Sequence, residues 1–566
     1  MNTQMKTLMS QRIFNSNTCR ILFATCLSAL CLTALSAKAT TITVINSNDS
    51  GPGSLRQALV DANDGDTINF DASLHFVAVV TTELVVDKSV TISGPGAANL
   101  FLDNYEVNRV FHITNAVTVS ISGLTIIDGV ASDRGGGILN DHSTLTVSNC
   151  TIRGNQAGYA GGAIYNDGES GSASLEINNS TVAYNACDDH GGGIYNNGVS
   201  GSATLTINNS TVSGNLVGNA GGGIYNDGYQ GSATLTINNS TLSDNSAVYA
   251  GSAGGAIVNN GLQGSATLTV TNCTISGNSA PVDFGEGGGI FNVAAYLGGS
   301  VTLTVNNSTL SGNSAGYGGG IFNEGHSFES ATLEIGDTIF KTGSSGANIY
   351  NQEGTVTSLG YNLSNDDGDG FLTATGDQIN TDPLLGPLQD NGGPTFTHQL
   401  LSGSPAIDAG DPNFNPNSFN PPMVYDQRGT GFNRVVNGRI DIGAFEVQAV
   451  PSPYVGQVQQ PINADGSSVF SVRRGVVPVK FTLTQGGVAT CALPPATIAL
   501  TRTAGGTTGA VDESVYSGSA DNGSNFRIDS CQYVYNLSAS ALGVGTYRVD
   551  IVINGQVVGS GIFQLK

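Results

Sequence analysis

An eight-residue phrase returns along the middle of this chain at a spacing of 30 residues. It reads Leu175-Glu-Ile-Asn-Asn-Ser-Thr-Val182, Leu205-Thr-Ile-Asn-Asn-Ser-Thr-Val212 and Leu235-Thr-Ile-Asn-Asn-Ser-Thr-Leu242, with further copies from Leu145, Leu268, Leu303 and Leu333. Between them recurs a second phrase, Gly191-Gly-Gly-Ile-Tyr-Asn196, repeated at Gly221 and Gly287 and more loosely at Gly135, Gly161, Gly254 and Gly318. A period of this length means stacked supersecondary units, none of which buries a core alone. Leu205 and Ile207 alternate with Thr204 and Thr206, which is the two-residue period of a strand. Gly and Asn are too dense for helix. The pattern predicts three short strands per repeat and a chain that winds once around and stacks on itself, rising about 4.8 Å per coil.

Stacking places like residues above one another. Ile164, Ile194, Ile224, Ile257, Ile290 and Ile321 are expected as an interior ladder. Asn149, Asn179, Asn209, Asn239, Asn272 and Asn307 are expected as an amide ladder at a corner, where Asn also tolerates left-handed backbone. Their Asn-Ser-Thr and Asn-Cys-Thr triplets match glycosylation sequons, but recurrence at one corner favours the structural reading. Cys150 and Cys273 take positions held elsewhere by Ser, four coils apart and far beyond disulfide reach.

At 566 residues, with 78 Gly and only 11% charged residues, the chain suits an elongated turn-rich β array rather than disorder. Lys6, Arg12 and Arg20 precede an apolar run from Ile21 to Leu35, and Ala37-Lys-Ala39 offers small residues for cleavage. Residues 1–39 therefore read as a secretory signal peptide. Its removal leaves 16 basic against 43 acidic residues, a net charge of −27, which repels nucleic acid and anionic lipid. No later stretch is long and apolar enough to span a membrane. Five Cys remain after cleavage, an odd number that cannot all pair within the chain.

A stack of coils has open ends that need covering. Ser54-Leu-Arg-Gln-Ala-Leu-Val-Asp-Ala-Asn63 reads as a helix capped by Ser54, with Leu55, Ala58, Leu59 and Ala62 on one face, and residues 40–80 are expected as an N-terminal cap. The segment from Thr43 through Asn48-Asp-Ser-Gly-Pro-Gly-Ser-Leu-Arg-Gln-Ala58, with the repeats that follow, resembles bacterial exported right-handed parallel β-helix proteins of the pectin-lyase-like superfamily. The repeats also resemble those of chlamydial polymorphic outer membrane proteins, whose C-terminal barrel has no counterpart here. Gly360-Tyr-Asn-Leu363, Thr381-Asp-Pro-Leu-Leu-Gly-Pro387, Gly403-Ser-Pro-Ala-Ile-Asp-Ala-Gly410 and Asp441-Ile-Gly-Ala-Phe-Glu446 resemble the choice-of-anchor module that ends such helices, over 360–447. These resemblances imply a solenoid over 40–447 and secretion or display at the cell surface, and are nearly silent on activity.

Pro451-Ser-Pro453 marks a linker, 448–456. Beyond it, over 457–566, alternating strands around Val477-Pro-Val-Lys-Phe481, Gly545-Thr-Tyr-Arg-Val-Asp-Ile-Val-Ile553 and Gly561-Ile-Phe-Gln-Leu565 predict a β-sandwich. They resemble immunoglobulin-like modules bearing a Pro-x-Lys-Phe motif. Cys491 and Cys531 are the expected disulfide in an oxidising compartment.

Chemistry-bearing residues are sparse. A uronate lyase needs a base and cations to neutralise a carboxylate, yet Arg153 is the only Lys or Arg between Arg134 and Lys341. Asp188-Asp189-His190, beside Cys187, is the one dense acidic patch of the repeats and the catalytic or metal candidate; its competing reading is a solvated turn. Asn365, Asp367 and Asp369 alternate before Gly370 like the first half of a calcium loop, but Gly376 stands where a bidentate Glu belongs. No cofactor is expected apart from that ion.

The residues after the ladder Ile, namely Tyr165, Tyr195, Tyr225, Val258, Phe291, Phe322 and Tyr350, should face outward as an aromatic stripe that stacks sugars or seats a partner. Its competing reading is coverage by loops such as Asp227-Gly-Tyr-Gln-Gly231. These features predict an all-β, non-enzymatic surface or secreted protein that binds a glycan or surface protein. The alternative is a carbohydrate-active hydrolase or lyase on the β-helix.

Overall fold

The computed structural model describes residues 39–294, 298–326, 330–448, 454–473, 475–505, 519–553 and 556–566. The expected leader, apart from its last residue, and Pro451-Ser-Pro453 lie outside the described residues. The chain divides into two units, Met1–Val447 and Gln448–Lys566.

The first unit is a parallel β-solenoid. One coil runs through Ile194–Asn197, Ser202–Asn208, Thr211–Ser213 and Leu216–Val217 before Ile224–Asp227 begins the next. Corresponding strands pair in parallel and build three long sheets. Sheet A has 12 strands, from Thr41–Val44 to Thr355–Gly360; sheet B has 11, from Phe76–Ala78 to Leu363–Ser364; and sheet C has 10, from Leu84–Val86 to Ile349–Gln352. The expected three strands per coil gain a short fourth, which forms the five-stranded sheet D from Val130–Ala131 to Ser246–Ala247. Two-residue strands carry too little alternation to be seen as a period.

The interior ladder is as expected. Ile164, Ile194 and Ile224 are direct partners and fully buried, and the same column continues through Ile257, Ile290 and Ile321. The Gly-Gly-Gly phrase is explained by its crowding. Gly191 has φ +66°, and a Cβ on Gly192 would lie 2.5 Å from the Leu216 carbonyl oxygen, so the corner accepts only Gly there.

The amide ladder stands elsewhere than expected. Asn149, Asn179, Asn209, Asn239, Asn272 and Asn307 do hold left-handed corners, with φ of +48° to +56°, and Asn272 donates to Asn239 at 2.7 Å. The continuous amide ladders run instead from Asn140 through Asn166, Asn196, Asn226, Asn259, Asn292 and Asn323 to Asn351, and from Asn155 through Asn185, Asn215, Asn245 and Asn278 to Asn313. The reason is strand alternation. Asn196 lies two residues after inward-facing Ile194, so its amide enters the core and must be paired there. Cys150 and Cys273 take places in a buried Ser column, and burial pushes their thiols up to about 11 and about 12.

The capping helix is Leu55–Asp61; Ser54 accepts from the Gln57 N–H, and Leu55, Ala58 and Leu59 are buried. The rest of the expected 40–80 cap is not separate from the stack, because Thr41–Val44 and Thr67–Phe70 are already the first rungs of sheet A. At the far end, the segment expected over 360–447 starts as a last rung, Leu363–Ser364, and then leaves the coil. It forms the antiparallel pair Leu385–Gln389 and Thr397–Leu400 and continues with little regular structure.

The second unit packs a five-stranded sheet on a four-stranded one around Phe470, Phe481, Tyr533, Val549 and Phe563. Its first strand, Tyr454–Gln459, corrects the expected linker of 448–456. Cys491 and Cys531 form a disulfide.

The Asn215 side chain donates to the Val182 carbonyl and to Asn245, and accepts from both the backbone and side chain of Asn185. Asn215→Ala strands a buried N–H and a buried C=O. It should lower unfolding free energy by about 2–4 kcal/mol, whereas Asn209→Gly at the left-handed corner should change it by less than about 1 kcal/mol. Denaturant melts followed by circular dichroism measure both; equal losses would contradict this account.

Candidate ligand-binding groove

Each coil shows the same Thr and small residue on the outer face of sheet B: Thr181 and Ala183, Thr211 and Ser213, Thr241 and Ser243, Thr274 and Ser276, Thr309 and Ser311. Their fates differ. Thr181 and Thr211 keep part of their surface open, whereas Thr241, Thr274 and Thr309 are at most 2% exposed. The cover is the segment that leaves the last coil, which runs back across sheet B toward earlier coils.

Gln427 is its principal clamp. Fully buried, it accepts from the Thr274 hydroxyl at 2.6 Å and donates to Thr241 Oγ1 at 2.8 Å, to Thr395 Oγ1 and to the Phe396 carbonyl. His398 Nδ1 lies 2.7 Å from the Gly386 carbonyl and its Nε2 lies 2.9 Å from Ser276 Oγ. Burial holds this imidazole below its usual pKa. Ala444 N–H donates to Thr309 Oγ1. These hydroxyls satisfy the polar groups of a strap that lacks a ladder of its own.

The strap ends against the coil of Thr241, and two basins open there on either side of Pro394. One, about 380 Å³, lies along Asn179, Asn209, Asn239, Tyr425 and Arg428. The other, about 590 Å³, is floored by Thr181, Thr211 and Ser213 and walled by Tyr184, Asp244 and Phe396. Arg428 is the one cation among these linings, and it is already engaged: it donates to the Asp426 carboxylate and the Glu446 carbonyl, between the Phe432 and Phe445 rings.

Tyr184 is unusual. It is 73% exposed and has φ +57° at a corner held in other coils by Gly154, Gly214, Gly277 and Gly312 and by Asp128 and Asp244, small or short residues that tolerate it. A bulky side chain pays for that backbone with about 1–3 kcal/mol. A Cβ on Gly214 would lie 2.7 Å from the Tyr184 ring, so Gly214 keeps the space in which the ring rests on the next coil. Phe396, 52% exposed, stands on the strap.

The expected sites fall elsewhere, and differently. The aromatic stripe is a correction: Tyr165, Tyr195, Phe291 and Phe322 are at most 7% exposed, while Tyr225 and Tyr350 keep part of their surface. They do point away from the Ile core, but preceding corners fold over them. Tyr165, Tyr195 and Tyr225 stack at 4.9 and 5.2 Å, His190 packs edge-on against Tyr225 at 4.6 Å, and the Arg134 guanidinium lies over Tyr165. Beside them Asp167, Asn197, Asp227 and Asn260 stack in alternation. Asn197 donates to Asp167 at 2.9 Å, Asn260 donates to Asp227 at 3.0 Å, and Tyr195 donates to Asp227. Burial raises the pKa of Asp227 and of these tyrosines.

Asp189 and His190 serve this cover rather than an open site. Asp189 lies 2.9 Å from His190 Nδ1 and accepts from Asn219 of the next coil, while Asp188 is exposed in the turn. Cys187 packs with Ala157, Val217 and Ala247, and burial pushes its thiol up to about 12. Asn365, Asp367 and Asp369 do not converge. Asn365 Oδ1 accepts from Thr342 and Asn348, and Asp367 accepts from the Asp369 N–H within its own turn. Among the described residues no three His, Cys, Asp or Glu side chains gather as a metal-ligating group.

Sequence reasoning missed both the groove and an ion network on the early coils. Arg109 bridges Glu83 and Asp133, and His112 lies 3.0 Å from Glu83. The hydrogen bond to Glu83 raises the pKa of His112, and that to Asp141 raises that of His142.

Several comparisons bear on the chain. A model of the Chlamydia polymorphic membrane protein repeat matches residues 149–167, the stretch from the Asn149 corner to the end of Ile164–Asp167. No curated protein matches the sequence. Among solved structures, a mutant of the PL6 family alginate lyase AlyGC is similar at 12% identity and a TM-score of 0.28, over 76% of this chain and 61% of that one. A likeness this distant carries nothing about activity.

The titrating groups set the pH response. Burial raises Glu286 to about 7, with Glu324 beside it, Asp337 to about 6 and Glu446 to about 8. A carboxyl or imidazole whose folded pKa is raised binds its proton more tightly in the folded state, so its contribution is lost as pH climbs through that value. The melting temperature should therefore be higher at pH 5.5 than at pH 8.5, and Glu286→Gln should raise it at both pH values but clearly more at pH 8.5, where the folded-state carboxyl has lost its proton. Thermal melts at the two pH values check this, and a melting temperature that rises with pH would contradict it.

Proposed function

We propose that this is a non-catalytic, surface-displayed protein that binds polysaccharide in the groove where the strap stops on sheet B. The observation that carries the reading is Tyr184. An aromatic ring is held open to solvent, on backbone better suited to Gly, above the uncovered hydroxyl rows of Thr181 and Thr211 and across from Phe396. Aromatic faces stack on the apolar faces of sugar rings, while Thr, Ser and Asn side chains supply the hydrogen bonds that fix orientation.

The chemistry of the lining narrows the ligand class. Asp244 faces the groove and Arg428 is neutralised by Asp426, so a carboxylated polymer finds no free cation there. A neutral glycan avoids that desolvation penalty. The same shortage disfavours uronate lysis, which needs positive charge at the carboxylate. Surface display is supported by the expected leader and by the match to a membrane-protein repeat.

Isothermal titration of the full chain against neutral and acidic polysaccharides tests the reading. Tyr184→Ala and Phe396→Ala should each weaken neutral-glycan binding about 3- to 10-fold, the worth of one stacked ring. Unchanged affinity in both variants, or the release of new reducing ends or unsaturated uronates, would overturn it.

A further inference from the structure

Between Asp141 and Lys341, the exposed large hydrophobic residues among the described residues are concentrated on one line. Apart from Tyr184 they lie at the corner that joins sheet D to sheet C, as Tyr159, Tyr249, Val282, Phe284 and Tyr317 do, or on the sheet D strand that leads into it, as Leu216 does. Backbone bridges link this corner from coil to coil, Ala160 to His190, Ala220, Ala253, Glu286 and Tyr317, so the side chains form a ridge parallel to the axis. Its five steps span about 24 Å at the strand spacing.

Two features show that the ridge is raised rather than incidental. Equivalent Asn residues are 30 apart in the regular coils but 33 apart from Asn226 to Asn259 and from Asn259 to Asn292. The extra residues fall at this corner, between Ser246 and Ile257 and between Ser279 and Ile290, and they bring Tyr249, Val282 and Phe284 with them. In repeat proteins such insertions gather on the binding face. In addition, Phe284 is 74% exposed with φ +68°, a conformation that a bulky residue keeps only at a cost.

Charge selects the occupant. Residues 154–340 contain no Lys or Arg; Arg134, over the Tyr159 ring at the first rung, is paired with Asp167 and Glu169, and the corner exposes Asp188 and Asp283. A second copy would set these acids against their own kind across a two-fold interface, and a polyanion meets the same repulsion. We infer that the ridge docks a basic, apolar polypeptide segment of another protein, with apolar side chains against the ridge and Lys or Arg beside the exposed Asp188 and Asp283. The ridge's length matches about 16 residues of helix.

The probes are a 16-residue amphipathic Lys/Leu peptide and its Glu/Leu counterpart, titrated against the full chain by fluorescence anisotropy. The Lys/Leu peptide should bind, more weakly as salt is raised, and at least 10-fold more weakly to Tyr249→Ser/Phe284→Ser. Because both residues are exposed, that variant should retain the wild-type circular dichroism spectrum. Asp188→Asn/Asp283→Asn should reduce affinity about 3-fold or more, and Tyr184→Ala should leave it unchanged, which separates this site from the glycan groove. The inference fails if wild type and the ridge variant bind the Lys/Leu peptide equally, or if wild type does not bind it. It also fails if the Glu/Leu peptide binds as well, if neutral-glycan binding is lost in the ridge variant, or if sedimentation shows a self-association that Phe284→Ser abolishes.

Discussion

The solenoid rests on one constraint: each residue stands directly over its equivalent in the coil below, about 4.8 Å away. Apolar side chains gain from this, since Ile194 and Ile224 bury each other's methyl groups. Amides gain more, because a carboxamide both donates and accepts and can bond the identical group above and below without end. The columns through Asn196 and Asn215 are the result. Charges lose, because like ionised groups at that distance repel. The Asp167, Asn197, Asp227, Asn260 column alternates acid with amide and so halves the charge while keeping every oxygen paired. The scarcity of cations and the abundance of Asn are consequences of the architecture before they are clues to activity.

The same constraint limits how such a protein can build a site. A regular stack presents uniform rows, and a ligand needs a boundary. Here the boundary is the strap, which trades water on Thr241, Thr274 and Thr309 for bonds to Gln427 and Ala444 and stops at Pro394. A second kind of boundary comes from lengthened corners, which lift Tyr249 and Phe284 off the cylinder. Both are departures from the repeat, and both carry backbone or surface that folding alone does not favour.

Much of the candidate chemistry was only half legible. Alternation correctly sends Tyr195 away from the Ile core, yet alternation cannot say that the corner bearing His190 folds back over it. The acidic look of Asp188-Asp189-His190 hides a coil-to-coil contact with Asn219. Tyr184, by contrast, could have been found by aligning the repeats and asking why one Gly position holds an aromatic residue. The ridge could have been found by asking why two coils are three residues longer than the regular 30.

What the sequence determined by itself is everything that repeats: the coil length, the alternation, the inward Ile and Leu columns and the glycine corners, because local backbone preference and nearest-neighbour stacking act identically in every copy. The tertiary structure alone decided which copies are open. Thr211 and Thr241 sit in the same phrase and differ only in what lies over them, Thr241 beneath Gln427 and Phe396 from residues more than 150 positions away. No local pattern encodes that distance, because coverage depends on where the strap runs out and not on the residues it covers.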